Sequence, residues 1–297
     1  MIMGKATKLL IFSLVVLCLP LRAFCQDEMI IGLIPEENIF DQVKKHRPLA
    51  AYLSKKLGIK VRLTILSRYG DIIDKFESGK MDGAFFGIMT GYLAMEKLGV
   101  VPIATPVGLD GKSTVQSYIF VRKDSGIKTV KDMQDKRIAF VDSLTVTGYL
   151  FAVSYLKEQG VHNPEAYFKE HYFTGSHDSV IYSVLDNRAD IGCAKDRIYK
   201  KMIEKDRSIN NELTVIATSR DFPSATLCVR KSMPTQLKTK LKNVLLRMGE
   251  EAEGKEVLNK LGALNFEDAQ KRNYSFVKDI IRKTGKAFRD EQEPESK

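Results

Sequence analysis

Residues Ile138–Val141 make an uninterrupted apolar run that passes through Asp142, Ser143, Thr145 and Thr147. After Gly148 it enters a segment whose apolar residues recur with helical spacing at Tyr149, Leu150, Val153 and Leu156. A short run that is apolar at every position fits a strand buried on both faces, and the period that follows fits a helix. This pairing restricts the chain to sheets whose faces are covered by crossover helices. The hydroxyl-rich turn between them carries a second message. The first turn of a helix holds backbone N–H groups without intrahelical partners, and the macrodipole adds positive character there. Such a corner suits an anion. Serine and threonine in the same place serve equally as plain N-caps, so the turn alone supports both readings.

The same unit recurs along the chain. Met29–Ile34 reads as a strand, Pro35–Asn38 as the loop leaving it, and a helix through Pro48, Leu49, Tyr52, Leu53 and Leu57 ends at Gly58. Val61–Ile65 is a second strand, followed by Tyr69-Gly70-Asp71 and a helix on Ile72, Ile73 and Phe76. Gly83–Gly87 is a third strand, and a short helix runs to Leu98. Ligands of parallel sheets bind beyond the carboxyl ends of the strands, which singles out Pro35–Asn38, Ser67–Tyr69 and Ile88–Tyr92. Ser117–Arg122 opens a second array that contains the turn described above. It continues through Tyr172–Thr174, the loop Gly175-Ser176-His177-Asp178, a helix on Val180, Ile181, Val184 and Leu185, and the strand Ala189–Ala194. Phe76–Gly87 (FESGKMDGAFFG) and Val184–Lys195 (VLDNRADIGCAK) echo one another as helix, turn, acidic residue and apolar strand. Asp82 and Asp190 read there as turn residues. Leu213–Ala217 and Ala225–Val229 are further strands, and helices are expected over about Pro234–Met248, Glu253–Leu261 and Phe266–Lys283.

At 297 residues the chain exceeds the usual span of one core, so two lobes are expected. No Gly/Ser/Pro-rich linker separates them, which implies a crossing on paired strands and hence a hinge. Lys5 and Lys8 precede an apolar run, Leu9–Leu21, with Ala23 and Cys25 after it. This reads as a secretory signal peptide, residues 1–25, cleaved near Cys25 and leaving a periplasmic or secreted protein. Lipid anchoring at Cys25 is the rival reading, disfavoured by the bulky Phe24 before it. Losing Lys5, Lys8 and Arg22 takes the formal charge from +10 to about +7. The remaining basic residues are dispersed among acidic ones, with no nucleic-acid-binding motif, so no nucleic-acid partner is expected. A modest positive field attracts small anions instead. Cys193 and Cys228 sit in apolar, strand-like segments and read as two separate buried thiols. His171 and His177 lack a metal-site spacing, and no cofactor is expected. His46 and His162 read as surface residues.

Several stretches in order, GLIPEE, RPLAAYLSKKLG, FESGKMDGAFFG, VRKDSGIKTVKDM, KRIAFVDSLTVTGY and FTGSHDSV, resemble the substrate-binding components of ABC importers for phosphate, phosphite and phosphonates. The resemblance implies the α/β, two-lobed type II periplasmic binding protein fold, each lobe a mostly parallel sheet flanked by helices, joined by two hinge strands. Lobe 1 would comprise residues 26–114 and 221–297, and lobe 2 residues 115–220. It implies capture of a small oxyanion in the inter-lobe cleft by a monomer that delivers it to an ABC permease in the membrane. It also implies that Thr145, Val146, Thr147 and Gly148 hold the anionic group, with His177 and Tyr69 facing it and Asp196 contacting the far end of the ligand. The family's usual hydroxyl is replaced by Val146. Gly91 stands at the usual aromatic position, with Tyr92 one place on and Thr90 before it, and these two are expected among the ligand-binding residues. Lys195 adds a cation close by.

Two other classes compete. Thr145 or Ser176 with His177 and Asp178 supplies the residue types of a hydrolase, but there is no G-x-S-x-G elbow, and adjacent His-Asp side chains at a helix start do not align as a triad. A sensor that reports the same kind of ligand, or another small polar solute, to a membrane receptor would share the fold.

Overall fold

The computed structural model describes residues 28–269, 274 and 276–285. The signal-peptide segment and the polar tail lie outside the described residues. From the start, β1 (Glu28–Leu33), α1 (Ile39–Leu57), β2 (Lys60–Ile65), α2 (Asp71–Glu77), β3 (Gly83–Phe86), α3 (Ile88–Leu98) and β4 (Val101–Gly108) follow one another. The short β5 (Thr114–Val115) leads to β6 (Ser117–Arg122), β7 (Arg137–Phe140), a π-helical turn Val146–Leu150, α4 (Phe151–Glu158), α5 (Pro164–Tyr167) and β8 (Glu170–Phe173). Then come α6 (His177–Leu185), β9 (Ile191–Lys195), α7 (Asp196–Lys205), α8 (Ser208–Glu212) and β10 (Leu213–Thr218). Last are β11 (Phe222–Pro223), β12 (Thr226–Val229), α9 (Thr235–Leu246), α10 (Ala252–Leu261), β13 (Ala263–Asp268) and α11 (Val277–Thr284).

These strands form a six-stranded sheet in the order β13-β4-β12-β3-β1-β2 and a five-stranded sheet in the order β10-β6-β9-β7-β8. The chain passes between them twice, and the crossing points meet as the antiparallel pair β5–β11. Two strands therefore link the lobes, as the absence of a flexible linker required. The sheets are mixed, not mostly parallel. β1 pairs in parallel with β2 and β3, and β7 with β8 and β9, but β4, β12 and β13, like β6 and β10, run antiparallel to their neighbours. The classic-looking βα units occupy one side of each sheet, and strands returning from the other lobe complete it.

The sequence echo has a structural counterpart. Gly79 and Asn187 both take left-handed backbone, at φ 76° and 57°. Three residues on, Asp82 accepts the Ile30 N–H at 2.8 Å and Asp190 accepts the Arg137 N–H at 2.9 Å. Their own amides donate back to Ile30 and Arg137. Each aspartate thus ties the start of β3 or β9 to the neighbouring strand, which is more than a turn residue does. One core cluster lies between the first sheet and α1, α9 and α10 around Leu49, Leu53, Leu241 and Leu258, and another supports the second sheet around Phe140, Tyr149, Leu150 and Ile191. A third runs from Ile72, Phe76 and Phe86 to Phe120, Val180 and Ile198, joining the halves.

The C-terminal stretch differs from the sequence reading. Ala263–Asp268 is a strand on the edge beside β4, so the helix expected over Phe266–Lys283 is shorter and begins at Val277. That helix packs on α4, where Lys157 donates to the Thr284 carbonyl at 2.7 Å and Val277 and Ile280 join the cluster around Leu150. It therefore contacts the second sheet's helices although it follows strands of the first. Cys193 and Cys228 are free and buried, and burial pushes the Cys193 thiol up to about 12.

Candidate functional site

The carboxyl ends of β1, β3, β7 and β9 point toward the crevice between the sheets, and the loops leaving them meet there. A small cavity with about 20 Å³ of room for water centres lies at the meeting point. From the first lobe it is lined by Ile34, Glu36, Tyr69, Gly87 and Ile88, and from the second by Leu144, Thr145, Val146, Thr147, His177 and Lys195. Helices α3, α6 and α7 and the π-helical turn all begin beside it. Converging helix starts make this an electropositive corner.

The turn after β7 owes its shape to local bonds. The Thr145 hydroxyl donates to the Asp142 carbonyl at 2.7 Å, the Asp142 carboxylate accepts the Leu144 N–H at 2.8 Å, and the Val141 N–H donates to the Gly148 carbonyl at 3.1 Å. The Leu150 N–H reaches back five residues to Thr145. The amides of Val146, Thr147 and Gly148 head this wide turn and meet no backbone acceptor outside it among the described residues. The Thr147 hydroxyl has no hydrogen-bond partner there either, while its carbonyl is held by the Ser117 hydroxyl at 2.6 Å, which ties the turn to the strand leaving the hinge. Gly148 has no room for a side chain: a Cβ would strike Val141 and lie 2.8 Å from Thr145 Oγ1.

His177 is almost fully buried, and its Nδ1 accepts the Lys195 backbone N–H at 3.0 Å. That bond requires Nδ1 to be bare, so the ring proton sits on Nε2, which becomes a hydrogen-bond donor. Burial, reinforced by the Lys195 ammonium, holds the ring neutral with its pKa lowered to about 3. Tyr69 is buried, and its phenol oxygen has no partner among the described residues. Burial and the nearby Glu36, Asp142 and Asp178 carboxylates raise its pKa well above the usual phenol value. A buried polar group without a partner is costly, and it marks a place for a ligand oxygen. Glu36 is ion-paired with Lys195 across the crevice. Burial alone would raise its carboxyl, but Lys195 outweighs that and holds it at about 2.

A family model described as "ABC transporter, phosphonate, periplasmic substrate-binding protein" matches residues 31–274. The chain belongs to this family. Family relatives include the phosphate-import protein PhnD of Mycolicibacterium smegmatis, 27% identical over 72% of this chain and 70% of that protein. The phosphonates-binding periplasmic protein of Escherichia coli is 25% identical over 84% of this chain and 75% of its own length. Among solved structures, a phosphite-family protein of Prochlorococcus marinus, PhnD1 in complex with methylphosphonate, superposes with a TM-score of 0.80. It has 21% identity and covers 88% of this chain and 99% of that one. The two-lobed type II fold is thereby that of this phosphonate-binding family.

Within the family framework the structure sorts the residues singled out from sequence. Tyr69, Thr145, Val146, Thr147 and His177 line one cavity, and Gly148 shapes the turn that carries three of them. Thr90 is buried but directs its hydroxyl to the Gly87 carbonyl at 3.4 Å, and Tyr92 packs half-buried among apolar neighbours; neither lines the cavity. The space over Gly91 is taken by Tyr274, whose ring would lie 3.0 Å from a Cβ there. Asp196 also stands away from the cavity lining. Its carboxylate accepts the Gln116 N–H at 2.9 Å and pairs with Lys200 at 2.8 Å, so it braces the link between β5 and β6. Sequence reading flagged the Pro35–Asn38 loop but not Glu36 itself, because a glutamate after a strand has no pattern that distinguishes a site residue from a solvated one. His46 is half-buried on the wall of the wider cleft between the lobes, and burial, with the Lys45 charge, lowers it to about 4. The Ser176 hydroxyl is turned to Asp178 and Ser179, not to His177, so no nucleophile–base pair forms at that corner. Among the described residues there is no cluster of potential metal ligands.

Proposed function

We propose that this chain is the solute-binding subunit of an importer for a small tetrahedral phosphorus oxyanion, a phosphonate, phosphite or phosphate, which it holds in the crevice between its lobes and passes as a monomer to an ABC permease. The observation that carries the reading is the buried, unpartnered Tyr69 hydroxyl in the same small cavity as the Thr147 hydroxyl and the donor nitrogen of His177. A micromolar complex requires about −8 kcal/mol. Hydrogen bonds to a charged group contribute about 1.5–3 kcal/mol each, so these three side chains and two amides of the Val146–Gly148 turn reach that scale when the donors are already in place. The relatives named for phosphate, phosphonates and methylphosphonate support the ligand class. The Ser176 hydroxyl turned away from His177 supports binding over catalysis, and the β5–β11 crossing supports lobe boundaries near residues 115 and 221.

Isothermal titration with phosphate, phosphite, methylphosphonate and sulfate tests the assignment. At least one phosphorus oxyanion is expected to bind at micromolar concentration or below, and failure of all of them overturns it. Export is tested separately. The mature protein is expected to begin at Gln26, read by mass spectrometry of the secreted form, whereas a lipid-modified Cys25 would establish the anchored alternative.

A further inference from the structure

The small oxyanion cavity opens onto a much larger one. A cleft of about 860 Å³ shares Ile34, Glu36, Val115, Lys195 and Ala225 with it and is walled by both lobes. Its lining carries eight basic side chains against four carboxylates. The carboxylates are largely committed: Glu36 to Lys195, Asp41 to Lys205 and Asp110 to Arg197 at 3.4 Å, with Glu204 exposed at the rim. Three more of these cations have carboxylate partners outside the lining: Lys200 pairs with Asp196 at 2.8 Å, and Lys45, at 3.7 Å, and Lys201 divide the one carboxylate of Glu37. No carboxylate among the described residues pairs with Lys44 or Lys260. The cleft therefore holds uncompensated positive charge at Lys44 and Lys260, and it shares Lys195 and Glu36 with the small cavity. Burial lowers the Lys45 ammonium despite Glu37 and Glu36 pulling the other way. A cleft with one sign of charge and low-dielectric walls concentrates its field on whatever enters.

Building on the oxyanion reading above, we propose that the preferred ligand is a phosphorus oxyanion whose substituent bears a second anionic group, such as a carboxylate, held by the Lys44 and Lys45 side of the large cleft. A neutral substituent leaves that charge uncompensated, and an ammonium substituent adds to it. The ligand class is thus a phosphonocarboxylate or a similarly dianionic ester, not an aminoalkylphosphonate.

Titrating the full mature chain with methylphosphonate, phosphonoacetate, 3-phosphonopropionate and 2-aminoethylphosphonate at one ionic strength tests this. A phosphonocarboxylate is expected to bind about tenfold or more tighter than methylphosphonate, and 2-aminoethylphosphonate more weakly than methylphosphonate. The double variant Lys44→Gln/Lys45→Gln should reduce the phosphonocarboxylate advantage to about threefold or less while methylphosphonate affinity stays within about twofold. Equal binding of the methyl and carboxylate compounds, tightest binding of 2-aminoethylphosphonate, or an equal loss for both ligands in the double variant overturns the proposal. If no phosphonate binds the wild-type chain while phosphate or phosphite does, this inference falls and the oxyanion reading stands; if none of them binds, both fall. Should the double variant fail to fold, the wild-type ligand series still decides.

Discussion

At the scale of single residues the site is a set of donors arranged around a neutral histidine. The sequence could place His177 in a βα loop, but its protonation follows from one tertiary bond, the Lys195 amide donating to Nδ1. An imidazolium would have to break that bond, so a bound anion meets an Nε2–H donor and not a cation. Tyr69→Phe removes a buried hydroxyl that has no partner without ligand. Its unliganded melting temperature should stay unchanged or rise slightly, while affinity for the oxyanion falls about tenfold, or about 1.4 kcal/mol. Calorimetry and titration on the same variant read both effects, and unchanged affinity would remove Tyr69 from the site. Acid sensitivity follows from the same environments. His177 and His46 have folded pKa values near 3 and 4, below the ordinary imidazole value, and Glu36 lies near 2, below the ordinary carboxylate value. In all three cases the unfolded chain binds more protons over the window between the two values, so stability is present at neutral pH and is lost on acidification. The loss begins below about pH 6.5 for the histidines, at up to about 1.4 kcal/mol per pH unit for each, and below about pH 4.5 for Glu36. His177→Gln or His46→Gln should flatten the fall in melting temperature between pH 7 and 5.

Elements show which parts of the fold were legible beforehand. β1, β3, β7 and β9 are apolar runs closed by loops and read directly, as did the end of α1 at Gly58. β4 did not, because Pro102 and Pro106 within VPIATPVG signal a break. The strand tolerates them beside register shifts in its pairing with β12 and β13. β13 escaped because its sequence, ALNFED, buries Ala263 and Phe266 alone, a spacing shared with a helix. The turn before α4 was recognised as an anion corner, yet its π-helical path was not. The turn is tied by the Ser117 hydroxyl, 30 residues away in sequence, and fits closely only because Gly148 lies against Val141. Gly148→Ala forces that turn apart. It is expected to destabilise the protein by about 2 kcal/mol or more and to abolish measurable oxyanion binding, as followed by urea unfolding and titration.

For the whole molecule the governing feature is how the halves are held together. Glu36, Glu37 and Asp41 at the entry to α1 pair with Lys195, Lys201 and Lys205 at and along α7, and Asn38 donates to Asp178 at 2.7 Å. Contacts of this kind bridge the lobes without any ligand and favour the closed arrangement. Two of these partners, Glu36 and Lys195, line the small cavity itself. Lys201→Glu with Lys205→Glu places like charges across the crevice. It should open the unliganded protein, seen as a larger radius of gyration in small-angle scattering, and weaken binding because the free open form gains population. An unchanged radius would show that the apolar cluster around Phe86, Phe120 and Ile198 holds the lobes by itself.

Local pattern was enough to establish the alternation of strand and helix, the two arrays, the hydroxyl-rich turn before α4 and the separate burial of two cysteines, since each depends on neighbours within a few positions. Which lobe receives α11, why Asp196 and Thr90 turn away from the cavity, and how Glu36 comes to face Lys195 were decided only when strands from distant parts of the chain paired. Periodicity reports which face of an element is buried; it does not report what lies opposite that face. In a crevice between two lobes, the residue opposite belongs to the other half of the chain.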